Sequence, residues 1–544
     1  MPSSLLSLVF LMCLGAEPVA KTWPGFLGQG ATLTDAESLP LTWTDTANVA
    51  WKVSLPGKGQ SSPVIWGDLV VVTSIEGTMK EHCHVTGFSL SSGKQLWDYA
   101  VASSQPVRSN YFQSRSAPTP LVDAQGVYAF FETGILVGLT HQGERRWERS
   151  LTEEFGPFES TIGLAASPVQ SADRVFVLVD HEGPSYLLAV RKETGETAWK
   201  TDRDSRVSYA SPSLVPVGDT QHLVCSSAGS IDGYDPATGE LLWSHSENVG
   251  GNRSATPLAI GPGRFVMAAS PGMHNENEKE ARKTNGVMVI EKTETGFAPR
   301  VLWRTEEAMP QFNSPLVHKG LAYWVNRVGV VFCFDAETGE KKYAKRIAQG
   351  CWATPVGVDN RIYIFGKDGV STILAAGPEF AVLAENTLWD PTAVESESNA
   401  RNRAAGREPG SSRNREHDRG GHGDGADKTQ PTTAGDKTAG EKSEAANPEP
   451  AAKPVPEKEP AAAETAAAVG RSDVVPAAKE TNGSNQAGER RSGRPRSPDE
   501  EAQARAQGEG RFADPVQYGV AIIDGHIVIR TGNSLYCLRK LMAK

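Results

Sequence analysis

Positive charge is in short supply in this sequence. It carries 55 Lys and Arg against 65 Asp and Glu, a formal net charge of −10. No basic field exists to draw in nucleic acid or an anionic membrane. Cysteine is scarce as well: six in 544 residues, of which five (Cys83, Cys225, Cys333, Cys351 and Cys537) lie beyond the N-terminal apolar stretch. They are widely scattered and odd in number, which argues against a disulfide framework. Runs such as VVFCF and SLYCL point to buried thiols instead. Outside the N-terminus, no stretch reaches the roughly 18 apolar residues of a membrane-spanning helix. The sequence contains no G-x-S-x-G, Walker, H-E-x-x-H or EF-hand pattern.

At the N-terminus, the apolar run from Leu5 to Ala16 is followed by small residues and fits a signal peptide, although no Lys or Arg precedes it. Residues 1–20 are therefore expected to be a signal peptide, cleaved after Ala16 or Ala20, and the mature chain to be extracytoplasmic. Cys13 in FLMC lacks the preceding small residues that lipid attachment favours. With 54 Gly and 35 Pro, the rest of the chain is turn-rich rather than helical.

A ten-residue phrase recurs along the chain. Tyr234–Trp243 reads YDPATGELLW, and close variants are FSLSSGKQLW (88–97), VRKETGETAW (190–199) and FDAETGEKKY (334–343). A short polar side chain, two variable residues and Thr-Gly or Ser-Gly make a turn, because the side chain bonds local backbone and Gly accepts positive φ. Strand-like segments flank each turn, so the phrase is a hairpin whose second strand carries a large aromatic. Trp51, Trp97, Trp147, Trp199, Trp243 and Trp303 fill that slot, with Tyr343 taking it once. Each is expected to dock its unit against the next.

A second landmark precedes each hairpin. It is a small residue, then Pro, then a strand, as in SPVIWGD (62–68), TPLVDAQG (119–126), SPVQSAD (167–173), SPSLVPVGD (211–219), TPLAIGPG (256–263), SPLVHKG (314–320) and TPVGVDN (354–360). Four antiparallel strands per unit, repeated every 40–60 residues or so, is the pattern of a β-propeller. The expected fold is all-β, with eight four-stranded blades. In the seventh unit the hairpin has degenerated to LAAGPEFAVLAENTL, and the eighth, within residues 512–544, has only three strands. The missing strand lies at 48–57, with Trp51 in the slot, so the termini are expected to share a blade and leave no open sheet edge. Blades one to seven then occupy 21–390. Residues 391–511 are rich in Ala, Pro, Glu, Gly and Arg, with few branched or aromatic residues. They read as a disordered insert between the last two blades.

The Asp-x-x-Thr-Gly-x-x-x-Trp units with Ser-Pro or Thr-Pro heads resemble the pyrroloquinoline-quinone (PQQ) repeat propellers. The opening WPGFLGQGATL is similar to that of an exported PQQ-like group from planctomycete-type bacteria, in which Arg usually stands at the place of Leu27. The resemblance covers nearly everything except the signal peptide and the insert. It implies two kinds of activity. Quinoprotein dehydrogenases hold PQQ and Ca²⁺ over the channel, with a catalytic Asp and often a pair of adjacent cysteines. Non-catalytic propellers, such as the lipoprotein of the outer-membrane barrel-assembly machine, bind partners through exposed loops. This sequence has no Cys-Cys pair and no recognisable calcium set, so no cofactor is expected and the non-catalytic reading leads. A PQQ- and Ca²⁺-dependent dehydrogenase is the alternative, and a carbohydrate-binding propeller the third.

No catalytic residue and no metal site is assigned. His82 and His84 in EHCHV point the same way from a strand without a recognisable third ligand. The best ligand candidates are the residues just before each blade-opening Pro, expected around the channel mouth: Arg115, Tyr209, Asn252, Arg253, Asn313 and Trp352. A protein, peptide or small-molecule ligand is expected there or on the blade loops, and the chain is read as a monomer.

Overall fold

The computed structural model describes residues 21–30, 37–107, 114–160, 162–247, 249–250, 254–272, 278–390, 514–523 and 525–541. The expected signal peptide (1–20), the expected insert (391–511), Asn252 and Arg253 lie outside the described residues.

Eight antiparallel sheets form an eight-bladed propeller. Blades one to seven span 64–102, 121–150, 169–203, 213–245, 258–304, 316–346 and 356–387. Blade eight joins the C-terminal strands Gly519–Ile523, His526–Arg530 and Ser534–Leu538 to Val49–Ser54 from the N-terminal end. Trp51 sits opposite Cys537 and Val53 opposite Leu535, so the ring closes as the sequence implied. The two middle strands of a blade are largely buried, as in Gly126–Phe130 and Ile135–Leu139, because both faces of a blade are covered by its neighbours. The five cysteines among the described residues are free and buried. No helix among these residues is long and apolar enough to cross a membrane.

Each slot aromatic follows a bulge and faces a cross-strand partner that is small or thiol-sized in most blades: Trp97 faces Gly87, Trp147 Gly138, Trp199 Ala189, Trp243 Gly233 and Tyr343 Cys333. The indole then reaches the next blade's corner. The Nε1–H of Trp51 donates to Leu90 O, Trp97 to His141 O, Trp147 to Lys192 O, Trp199 to Pro236 O and Trp303 to Ala336 O, at 2.8–3.0 Å. The corner glycine is required twice over. Gly195 has φ +77°, and a Cβ there would stand 2.7 Å from Trp147 Cδ2. Two slots differ because the following blade lacks the corner. Trp243 turns to His222 Nδ1 in its own blade, and that imidazole packs edge-on against Phe297 of blade five. Tyr343 packs against Phe380 from the degenerate hairpin of blade seven.

The small residue before each Pro has a specific task. From blade two to blade seven, its hydroxyl accepts a hydrogen bond from the backbone N–H of its counterpart in the preceding blade. The bonds run Ser62 to Thr119, Thr119 to Ser167, Ser167 to Ser211, Ser211 to Thr256, Thr256 to Ser314 and Ser314 to Thr354, all at 2.9–3.1 Å. In blade eight Gly519 stands at this corner, and a Cβ there would lie 2.3 Å from Ser62 Oγ.

The N-terminal segment does more than complete blade eight. Leu41 O and the Trp43 N–H bond the Asn386 side chain on the outer strand of blade seven. Further upstream, Thr22–Trp23 adds a fifth strand to the inner edge of blade one. Pro24 O then accepts from Val122 N of blade two and Gln170 Nε2 of blade three. This segment lies within the channel, where Phe26 and Leu27 wall a cavity of 570 Å³ against the inner strands of blades three to five.

Candidate functional site

In a four-stranded antiparallel blade, the inter-blade connections and the turns between second and third strands share one end. The repeated corners occupy the other. The residues before each blade-opening Pro therefore rim a single mouth of the channel.

Arg115 is fixed there by its neighbours on both sides. Lys80 and Glu132 form a buried ion pair at 3.1 Å. Lys80 Nζ also donates to Ser114 O, and Glu132 Oε1 accepts from the Ser116 N–H at 2.9 Å. The Arg115 N–H itself donates to Gln60 Oε1 at 3.0 Å. Three consecutive backbone groups are thus held, and Ser116 adopts φ +51° to permit it. A buried ion pair adds little net stability, but removing one partner strands the other, so this pair locks the local geometry.

From this clamp the Arg115 guanidinium reaches blade eight, donating from Nη2 to Tyr518 Oη at 3.1 Å. Tyr518 lies 5.8 Å from the Trp352 ring, centroid to centroid, and Trp352 meets Phe312 edge-on at 5.3 Å. Phe312 is 37% exposed. The result is an arc of one cation and three aromatics spanning blades two, eight, seven and six. Arg115 and Trp352 were in the sequence-derived set; Phe312 and Tyr518 were not. Tyr518 was discoverable, since Gly519-Val520 stands where other blades write Ser-Pro or Thr-Pro and Tyr518 immediately precedes it.

The other candidates stand elsewhere. Asn313 does not face the mouth: it is buried, its Nδ2 donates to Val325 O at 3.2 Å, and its Oδ1 accepts from Gln311 N. The neighbouring Phe312 is the exposed residue of that corner. Tyr209 is half-buried at the junction of blades three and four, across the ring from the arc. Burial, with help from the Glu182 carboxylate, pushes its phenol up to about 12. Beside it the rim is charged: Arg203 is buried with Asp180, Tyr234 and Ser227, while Arg206 bonds Ser230 and Asp232. A cavity of 520 Å³ opens over this network. His84 belongs to blade one. Its Nδ1 pairs with Asp98 at 2.9 Å and its Nε2 lies 3.4 Å from Glu76.

Among the described residues, no three His, Cys, Asp or Glu side chains are grouped to hold a metal ion.

A family model described as outer membrane protein assembly factor BamB, a PQQ-repeat model, matches residues 31–183 and 158–344. The chain belongs to this family. A BamB of Burkholderia pseudomallei is 26% identical over 207 residues, which is 36% of this chain and 47% of that relative. The chain spans about half the length of the curated BamB relatives it matches. Among solved structures, BamB from Moraxella catarrhalis is similar at 16% identity and a TM-score of 0.43, covering 62% of this chain and 87% of that one. A europium-containing methanol dehydrogenase is similar at 14% identity and a TM-score of 0.34, covering 60% and 84%.

Proposed function

We propose that this BamB-family propeller is an exported, non-catalytic binding protein that works without a quinone or metal cofactor. Its mouth receives an extended segment of a protein partner, and by its family that partner belongs to outer membrane protein assembly. The observation that carries this reading is the arc Phe312–Trp352–Tyr518–Arg115, set on a rim whose backbone is fixed by the Lys80–Glu132 pair before any ligand arrives. Aromatic faces beside a planar cation suit a peptide with apolar and polar side chains, and prior ordering lowers the entropic cost of binding. The predicted signal peptide supports export.

Reconstitution tests the reading. The purified chain is incubated with PQQ and Ca²⁺ and assayed for dye reduction with alcohols and sugars. The expected outcome is no turnover and no stoichiometric quinone absorbance. Turnover with bound quinone would make the protein a dehydrogenase and overturn the proposal.

A further inference from the structure

The innermost strands are not covered alike along the channel. In blade four the two-residue turn at Gly218-Asp219 pairs Val217 with Thr220. Alternation then directs the backbone groups of Ser213, Val215 and Val217 to the neighbouring strand and those of Leu214 and Pro216 to the channel. Pro216 O, which accepts from the Gly263 N–H of blade five at 2.6 Å, points that way. Leu214 stands three places after the hydroxyl of Ser211, and its counterparts in blades one, two, three and five are Ile65, Val122, Gln170 and Ala259.

The N-terminal segment covers the first of these places. Trp23 sits opposite Ile65 in the added strand. The Val122 N–H donates to Pro24 O at 2.9 Å, and Gln170 Nε2 donates to both Pro24 O and Val122 O. Ile65 and Val122 are accordingly 0% exposed. Past Gln170 the cover ends. Leu214 is half-buried, Ala259 is exposed, and no backbone group of the described residues bonds the Leu214 N–H or C=O across the channel.

The 570 Å³ cavity lies along these uncovered edges, with Phe26 and Leu27 on one side and Leu214, Leu258 and Ala259 on the other. Its size is in the range of ligand pockets, about 300–1,000 Å³. None of its lining residues is charged. At the mouth end Ser211 and Thr256 are buried in the hydroxyl ladder, whereas Ala172, Pro216 and Gln221 at the corner end are exposed. The cavity therefore opens away from the aromatic arc. The N-terminal segment enters the channel from this same end: Lys21 O accepts from Gly67 N in the first turn of blade one, and Thr22–Trp23 then runs antiparallel to Val64–Trp66. The molecule thus already receives one chain here, by main-chain pairing to an inner edge.

We infer that the corner end of the channel is a second binding site, where an extended, uncharged segment of a partner protein adds as a strand to blade four at Leu214 and packs apolar side chains against Phe26, Leu258 and Ala259. Pro212 and Pro216, the flanking channel-facing residues, have no N–H. The Leu214 amide is therefore the donor this strand offers, and its carbonyl the matching acceptor. The site is independent of the mouth.

Isothermal titration of the full chain with an acetylated, amidated pentapeptide Thr-Val-Ala-Val-Thr tests the site. Two further versions carry backbone N-methyl groups, one at both valines and one at the central alanine, and so block opposite edges of the same strand. Saturable binding is expected, with one methylated version about tenfold weaker and the other close to the parent. Leu214→Pro, which removes the donor, is expected to weaken the parent peptide about tenfold. Ala259→Trp, which fills the cavity, is expected to abolish binding, and Phe312→Ala, at the mouth, to leave it unchanged. The methylated peptides need no variant, so the test holds even if a substitution prevents folding, as judged by circular dichroism. No binding to the wild type, or methylated versions that match one another, overturns the strand site. If Phe312→Ala loses binding and Ala259→Trp keeps it, the peptide sits at the mouth: the corner-end site falls and the proposed function stands.

Discussion

Trp147 and Gly195 show how little freedom a blade corner leaves. The indole needs the Lys192 carbonyl, and the glycine must both turn left-handed and stay flat beneath the ring. Gly195→Ala is therefore expected to lower unfolding free energy by about 1–3 kcal/mol, from strained backbone plus overlap with the indole. Urea denaturation measures this, and the same change at Gly218, where a Cβ meets nothing within 4 Å, serves as the strain-only control. His84 offers a second residue-scale test. The Asp98 hydrogen bond, against opposing burial, holds the His84 imidazole above its usual range. Burial would raise the Asp98 carboxyl, but bonds from His84 and Thr86 outweigh it and leave it below. The imidazole's contribution is complete below its unfolded value of 6.5 and is lost as pH rises through the folded one. The carboxyl's contribution is present above 3.8 and is lost as pH falls through its lowered value. Thermal midpoints from pH 4 to 8 should therefore drop at the alkaline end in the wild type, and His84→Gln should remove that drop.

Among elements, the ladder of hydroxyls before each Pro ties inner strand to inner strand around the channel. Thr256→Val would leave the Ser211 N–H buried without its 3.1 Å partner, an expected loss of about 1–3 kcal/mol. Thr256→Ser keeps the acceptor and should cost under about 1 kcal/mol. Chemical denaturation of the two variants compares them directly, and equal losses would show that the methyl rather than the hydroxyl matters. At this scale the limits of sequence reading become physical. Corners were legible because glycine, the Asp or Ser side chain and the aromatic slot all act within ten residues. The residue before Pro was legible only as small, because the amide that needs its hydroxyl lies some 40 to 60 positions away. Asn313 was misplaced at the mouth because side-chain direction at an irregular corner depends on one residue of register, and Phe312 holds the outward position. The fully buried Arg530 gave no local signal at all: it reads as one more strand residue in HIVIR, and its partner Ser61 is 469 positions distant.

The whole molecule depends on a seam between its two ends. Leu55 N bonds Asn533 O, Gly59 N bonds Gly532 O, and Trp51 crosses to Leu90 in the next blade. Removing residues 515–544 takes away three strands and the partner of Val49–Ser54. The truncated chain is expected to lose its cooperative transition and to associate through the exposed edges; light scattering and a urea titration detect both. A two-state transition with unchanged midpoint would show that the seam contributes nothing. Blade number and ring closure were readable from period alone, since a missing strand at one terminus matched a spare one at the other. The segment inside the channel was not, because Thr22–Trp23 is too short to show any alternation.

The seam also sets an order of events during biosynthesis. Val49–Ser54 leaves the ribosome well ahead of the strand it pairs with, since Ser54 faces Ser534, 480 residues later. At ordinary elongation rates that is a wait on the order of half a minute. Throughout it, the strand that carries the aromatic that locks the ring has no mate. A nascent chain of this design needs a chaperone to shelter that strand, or passage through a translocation channel in an unfolded state, until Ser534–Leu538 arrives.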